Sequence, residues 1–389
     1  MCIRDRYYAE PVKNLAILLA ALCSWRYTQG NTCSQLDRYL EHNLFGLAYR
    51  TTEEDYLAEI REKIGYLAVE DWQRALCGHM AFTQDPVNQI APMAFQFGAL
   101  YFYRAWQDEY RIAQYIKNTL KKHRTLAFSY DEIRQKLDKY FPEKQEKTDW
   151  QKVAVATAIK SPFSIITGGP GTGKTTTVTR LLLVLQELFD CKLHIKLVAP
   201  TGKAASRLEE SIKNALGFMQ EKMNLSDSLF NSIPQKASTL HSLLGENAFN
   251  DYTRYNSHNP LQLDVLVVDE TSMIDLPMMA KLINALKPET RLILLGDQAQ
   301  LASVEAGAVL GELAQFVNQS YSHEQAAYLL ATTGYEVESA DCSNPIRDCL
   351  CHLTESRRFD KNSGIGKLAE FIQKGKADDS LCLLYTSPS

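Results

Sequence analysis

Two textures of hydrophobic patterning divide the chain. Up to about residue 125, apolar positions recur at helical spacing between short polar loops, and Tyr and Trp are frequent. The stretch GALYFYRAWQDEYRIAQYIKNTL begins with strand-like alternation and passes into a helical stripe through Glu109, Ile112, Ile116 and Leu120. FPEKQEKTD (141–149) is polar and carries Pro142, so it reads as a linker or loop. After Trp150 short apolar runs alternate with longer helical stretches: FSIITG (163–168), HIKLVA (194–199), DVLVVDE (264–270) and RLILLGD (291–297). Runs of this length, rich in Val, Ile and Leu, predict buried strands of a parallel sheet. Each ends in polar residues, at the sheet edge where open α/β folds bind ligands.

An apolar run near the start, LAILLAALC (15–23), follows Arg4, Arg6 and Lys13 in the manner of a signal peptide. It is too short to span a bilayer. Leu22 before Cys23 also spoils a cleavage site. A buried helix and no membrane segment are expected.

Composition narrows the class. The chain has 389 residues, enough for two or three domains, with 45% hydrophobic and 23% charged residues. The net charge of −4 argues against a protein that coats DNA through global basicity. Nucleic-acid contact would have to be local. Lys117, Lys121, Lys122, His123 and Arg124 form one basic cluster, and Lys192, His194, Lys196, Lys203 and Arg207 another, each of which could equally be a solvated face. The nine cysteines are odd in number and include no C-x-x-C pair, which fits a reducing cytoplasm. CLCH (349–352) has no second ligand pair to make a metal site.

The chemistry begins at GGPGTGKTTT. Gly168, Gly173, Lys174 and Thr175 fill the pattern G-x-x-x-x-G-K-[ST] between a strand and a helix. Such a loop, here Gly168, Gly169, Gly171, Thr172, Gly173, Lys174, Thr175 and Thr176, turns backbone N–H groups toward phosphates. Lys174 adds a point charge, and the Thr175 hydroxyl suits Mg²⁺. VLVVDETS then ends a strand in Asp269, placed to hold the same Mg²⁺, and Glu270, placed to activate water. Together these predict an NTPase that uses Mg²⁺. Gln151 in DWQKVAVATAI can offer an amide donor and acceptor to adenine. APTGKAA places Thr201, Gly202 and Lys203 at a helix start suited to a nucleic-acid phosphate, and ASTLHSLLG places His241 at another. In isolation either could be an ordinary turn. GDQAQLASVEAG sets Asp297 and Gln300 at a fourth strand tip, where a Gln can sense the γ-phosphate.

The order Gln151, GGPGTGKTT, APTGKAA, STLHSLLG, VVDETS, GDQAQLASVEAG, SRRF resembles superfamily-1 DNA helicases. Within them it resembles one family, the alpha subunit of bacterial exodeoxyribonuclease V, over most of residues 10–380. VLVVDETSMIDLPMM, GDQAQLASVEAGAVLGEL, SGIGKLAEFIQKG and LYFYRAWQDEYRIA are the specific stretches. The resemblance implies a motor that uses ATP to move 5′-to-3′ on single-stranded DNA from duplex ends, in double-strand-break repair and recombination. It implies a heterotrimer with beta and gamma subunits, the beta subunit carrying its own helicase and the nuclease. On this chain it assigns Lys174 and Thr175 to phosphate and Mg²⁺, Asp269 to Mg²⁺, Glu270 to water and Gln300 to sensing. Thr201, Gly202, Lys203 and His241 would line the DNA track. Arg358 matches the arginine finger of a Ser-Tyr-Arg-Phe pattern in which Arg357 stands for the Tyr.

The expected fold is α/β: a RecA-like P-loop NTPase parallel sheet flanked by helices, preceded by a mainly helical N-terminal domain. The boundaries expected are 1–125 for a partner-docking domain, 126–149 for a linker, 150–340 for the first motor lobe and 341–389 for the opening of a second. The second lobe's further motifs are missing, and MCIRDR and LLYTSPS look foreign, so a truncated chain is expected. Two other readings stand beside the helicase. One is a different P-loop ATPase such as an AAA+ assembly factor, which the GDxxQL motif disfavours. The other is an incomplete module that binds ATP or partners without turnover.

Overall fold

The computed structural model describes residues 8–37, 40, 43–49, 55–121, 127–143, 146–246, 252–298, 300, 306–341, 343–354, 368, 371, 376, 378 and 381–382. Two units divide these residues. The first holds those up to Ala113 with Asp275–Ala280 and 306–307, and the second holds the remainder.

In the first unit, α1 (Glu10–Thr28) contains the apolar run that imitates a signal peptide. Leu15, Leu18, Leu19, Leu22 and Cys23 of that helix are all buried. They pack in a core with Trp72, Leu76, Phe95 and Leu100. Helices α2 (Tyr56–Lys63) and α3 (Val69–Ala75) follow. A four-stranded sheet completes the unit: β1 (Cys33–Gln35), β2 (Phe82–Thr83), β3 (Met93–Gln96) and β4 (Ala99–Phe102), in the order β1-β4-β3-β2. The strand-like start of GALYFYRAW is β4, and its helical continuation is α4 (Tyr103–Lys121), with Ile112 and Ile116 buried.

The second unit is built on a six-stranded sheet. Its strands are β5 (Phe163–Gly168), β6 (Ile195–Ala199), β7 (Ala237–Thr239), β8 (Val265–Val268), β9 (Arg291–Gly296) and β10 (Leu350–Leu353), in the order β10-β5-β9-β8-β6-β7. Every pairing is parallel. Burial on both faces explains the unbroken apolar runs. Ile293 and Leu295 join one core cluster with Ile166 and Val267. Their neighbours Leu292 and Leu294 alternate to the opposite face and are equally buried. Helices α6 (Trp150–Lys160), α7 (Lys174–Leu188) and α8 (Gly202–Met223) supply Val153, Val178, Leu181, Leu208 and Ile212 to that cluster.

Three sequence expectations change. The stretch expected as a linker contains a helix, α5 (Tyr130–Tyr140). Ser129 caps it by accepting from Glu132 N, and the Glu132 carboxylate reaches back to the Ser129 N–H at 2.7 Å, a capping box. Ile133, Leu137 and Tyr140 of α5 are buried in the sheet's own core. The polar face and Pro142 conceal it in the sequence. Leu350–Leu353, expected in a second lobe, instead forms β10 of the six-stranded sheet, with Leu350 opposite Ile165 and Leu353 opposite Gly168. Lastly, the second basic cluster is not one patch. Lys192 and His194 precede β6 while Lys203 and Arg207 follow it. Five residues of strand, about 16 Å, lie between. Lys122, His123 and Arg124 of the first cluster lie outside the described residues.

Candidate functional site

The sheet brings the sequence motifs to one edge. Because all six strands run parallel, the loops after β5, β9, β8, β6 and β7 leave from the same end. In spatial order they carry the P-loop, Asp297 with Gln300, Asp269 with Glu270, Thr201 to Lys203, and His241. Residues suited to phosphate and metal therefore precede those suited to a nucleic-acid backbone along that edge.

The P-loop leaves β5 at Gly168 and enters α7 at Lys174. Gly173 is the N-cap, in the left-handed region at φ 82°, and Gly171 has φ 78°. Side chains rarely adopt that conformation, so glycine is required at both. Gly168 is constrained differently. A Cβ there would lie 2.6 Å from Thr172 Oγ1 and 3.0 Å from the Leu353 carbonyl oxygen on β10. Thr172 is buried, and its hydroxyl donates to Gly169 O at 2.9 Å. The Lys174 ammonium donates to Gly168 O at 2.6 Å and Gly169 O at 3.2 Å, holding it over the loop. Thr175 and Thr176 lie in the first turn of α7, partly buried.

Asp269 follows β8, and its N–H donates to Val198 O at 2.9 Å, which fixes it to β6. Burial raises its carboxyl to about 6, against an opposing pull from the Lys174 charge. A cation beside this carboxylate would favour its ionised form. Glu270 sits in the left-handed region at φ 50°, and its N–H donates to Asp269 Oδ1 at 2.9 Å. A positive φ at a non-glycine residue is costly and recurs where function demands an orientation. Here it follows a buried strand tip beside Asp269.

Asp297 is buried at the end of β9. Gln300 is exposed in the turn beyond, its N–H donating to Asp297 O at 3.2 Å. His352 on β10, unweighted in the sequence as a single residue, lies within 2.9 Å of Thr167 Oγ1 through Nδ1. Burial lowers the basicity of its ring, opposed by Asp297.

Gln151 is on α6, whose N-cap Asp149 accepts from Gln151 N at 2.9 Å and Lys152 N at 3.2 Å. The Gln151 side chain is buried and donates from Nε2 to Thr172 O at 3.0 Å. Thr201 caps α8, accepting from Ala204 N at 3.2 Å, and Gly202 and Lys203 are exposed beside it. That leaves N–H groups of a 22-residue helix directed outward. His241 is exposed on α9 (Leu240–Leu244), with Nε2 3.6 Å from Glu246, which also pairs with Lys281 at 2.5 Å. Arg357 and Arg358 lie outside the described residues. Among those described, no group of three or more His, Cys, Asp or Glu side chains is arranged to hold a metal by itself. Asp269 and Thr175 would therefore share any cation with the phosphates. Cys349 and Cys351 are buried turn and strand residues with free thiols. No helix among the described residues is long and apolar enough to cross a membrane.

Known proteins match on both units. Residues 5–101 fit the family model "RecBCD enzyme subunit RecD, N-terminal domain", and residues 151–306 fit an "AAA domain" model. The RecBCD enzyme subunit RecD of Haemophilus influenzae is 95% identical over 381 residues, covering 98% of this chain and 60% of that protein. Its counterpart in Buchnera aphidicola from Acyrthosiphon pisum is 30% identical over 383 residues, 96% of this chain and again 60% of the relative. The ATP-dependent RecD2 DNA helicase of Deinococcus radiodurans is 39% identical over 151 residues, 39% of this chain and 18% of that protein. The chain thus spans about three fifths of the RecD subunits it matches. Over that span, the chain is similar to the RecD subunits of RecBCD enzymes.

Proposed function

We propose that this chain carries the nucleotide-hydrolysing lobe of an ATP-dependent 5′-to-3′ DNA helicase, the alpha subunit of exodeoxyribonuclease V, acting in double-strand-break repair. The observation that carries the reading is the shared edge. The P-loop and Asp269–Glu270 stand at the ends of β5 and β8, and the exposed amino end of α8 follows β6 alongside. Lys174 and the loop N–H groups would bind the phosphates of ATP. Thr175 and Asp269 would hold Mg²⁺, which when bound neutralises phosphate charge and completes the Asp269 carboxylate. Glu270 would accept the proton of the attacking water. Gln300 would report the γ-phosphate, and Arg358 would supply a finger to it. Thr201, Gly202, Lys203 and His241 would hold the DNA backbone.

The residues before about 125 would dock on the beta and gamma subunits of a heterotrimer in the cytoplasm. We assign the first motor lobe through Leu353, supported by the register of β10 with β5. A second lobe would then open beyond it. An unwinding assay tests this reading in the assembled complex with the beta-subunit motor disabled. It should unwind a duplex with a 5′ single-stranded tail, not one with a 3′ tail, and Lys174→Gln should abolish that. Unwinding from the 3′ tail only would refute it.

A further inference from the structure

Arg180, six residues into α7, plays no part in the motifs above, yet it reaches the nucleotide site through Gln151. Its Nη1 donates to Gln151 Oε1 at 3.4 Å. The guanidinium carbon sits 4.5 Å from the centroid of the buried Phe141 ring, a cation–π contact that steadies the head group. We infer that Arg180 is a positioning residue that fixes the orientation of the Gln151 amide and, through it, the crest of the P-loop. The inference rests on the ATPase reading and deepens it.

Donor and acceptor identities make the relay one-directional. Arginine can only donate. The Thr172 carbonyl can only accept. With Arg180 on one side and Thr172 O on the other, Gln151 must turn Oε1 to the guanidinium and Nε2 to the loop. The flipped amide would set two donors against each other and two acceptors against each other. The fixed orientation leaves one lone pair on Oε1 and one N–H on Nε2 unspent. That pair complements adenine, which presents an amino donor beside an acceptor nitrogen. Guanine presents two acceptors on the corresponding edge, and one would face Oε1. Arg180 thereby contributes to base choice without touching the base.

Space also favours a clean test. Arg180 lines a cavity of about 260 Å³ with Phe141, Asp149, Phe218, Met219 and Lys222. Replacing it by Met keeps the apolar stem and extends that cavity without opening a new void in the core. In the full-length protein within its complex, Arg180→Met should raise the KM for ATP about tenfold, the scale of one charge-assisted hydrogen bond. The preference for ATP over GTP in kcat/KM should fall with it, and Arg180→Lys should restore part of both. In a Gln151→Ala background, Arg180→Met should have no further effect, because the amide it acts through is gone. An unchanged KM and unchanged ATP preference in Arg180→Met would overturn the inference, as would full additivity with Gln151→Ala. Binding of a fluorescent ATP analogue gives the same comparison without turnover. A wild-type protein that binds nucleotide but shows no DNA-stimulated turnover would therefore count against the helicase reading alone.

Discussion

Replacing Asp269 by Asn should strengthen the fold while disabling the enzyme. Burial raises the Asp269 carboxyl from 3.8 to about 6. Below pH 3.8 both folded and unfolded chains carry the proton, and the group has no effect. Between 3.8 and about 6 the unfolded chain ionises first, so the folded state loses stability as pH rises. Above about 6 the full penalty stands. The gap is 6 − 3.8, or about 2.2 pH units, worth about 3 kcal/mol at about 1.36 kcal/mol per unit. At pH 5 the gap is 5 − 3.8, and the penalty is only about 1.6 kcal/mol. Asn removes the charge but keeps an Oδ1 that can accept from Glu270 N. Urea unfolding without Mg²⁺ should therefore show Asp269→Asn more stable than wild type by about 3 kcal/mol at pH 7.5 and by about half that at pH 5. Its ATPase should be lost, because a neutral amide holds a divalent cation poorly. A variant no more stable than wild type at pH 7.5, or an advantage equal at both pH values, would refute the burial account of this carboxyl.

Three further outcomes follow from the packing. Leu137→Ala on α5 should cost roughly 2–5 kcal/mol, the range for a fully buried leucine, and lower the unfolding midpoint of the sheet unit. A cost under about 0.5 kcal/mol would return 126–149 to the status of a linker. Gly168→Ala forces a methyl against Thr172 Oγ1 and the Leu353 carbonyl, so turnover should fall on the order of 100-fold while circular dichroism stays that of a folded protein. Cys349 and Cys351, whose thiols burial raises to about 12, should resist alkylation at pH 8 in the folded protein, whereas exposed Cys77 is labelled, as mass spectrometry would show.

Much of this architecture is legible in the residues, and the exceptions share a cause. The strands β5, β6, β8 and β9 announce themselves because burial on both faces demands continuous apolar runs. β7 has three residues, Ala-Ser-Thr, with none fully buried, so no pattern marks it. β10 is four residues whose partner, β5, lies far back in the chain, and only the pairing defines it. The α5 helix does carry a local signal, Ser129 with Glu132 followed by Ile133 and Leu137, which the neighbouring Pro142 and charged residues outweigh. At the site, Gly168, Lys174 and Asp269 were readable because their chemistry requires a strand tip and a fixed spacing. Arg180 and His352 were not, since each acts through contacts between elements, with Gln151 on α6 and Thr167 on β5 among them.

The central claim is that DNA drives hydrolysis at the edge shared by β5 and β8. The most direct measurement is ATP turnover by the full-length protein in the proposed heterotrimer, with the beta-subunit motor disabled, with and without single-stranded DNA. Turnover should rise steeply with DNA in the wild type and stay at background for Lys174→Gln, even though that variant assembles normally. Turnover indifferent to DNA, or DNA-stimulated turnover surviving in Lys174→Gln, would contradict the account.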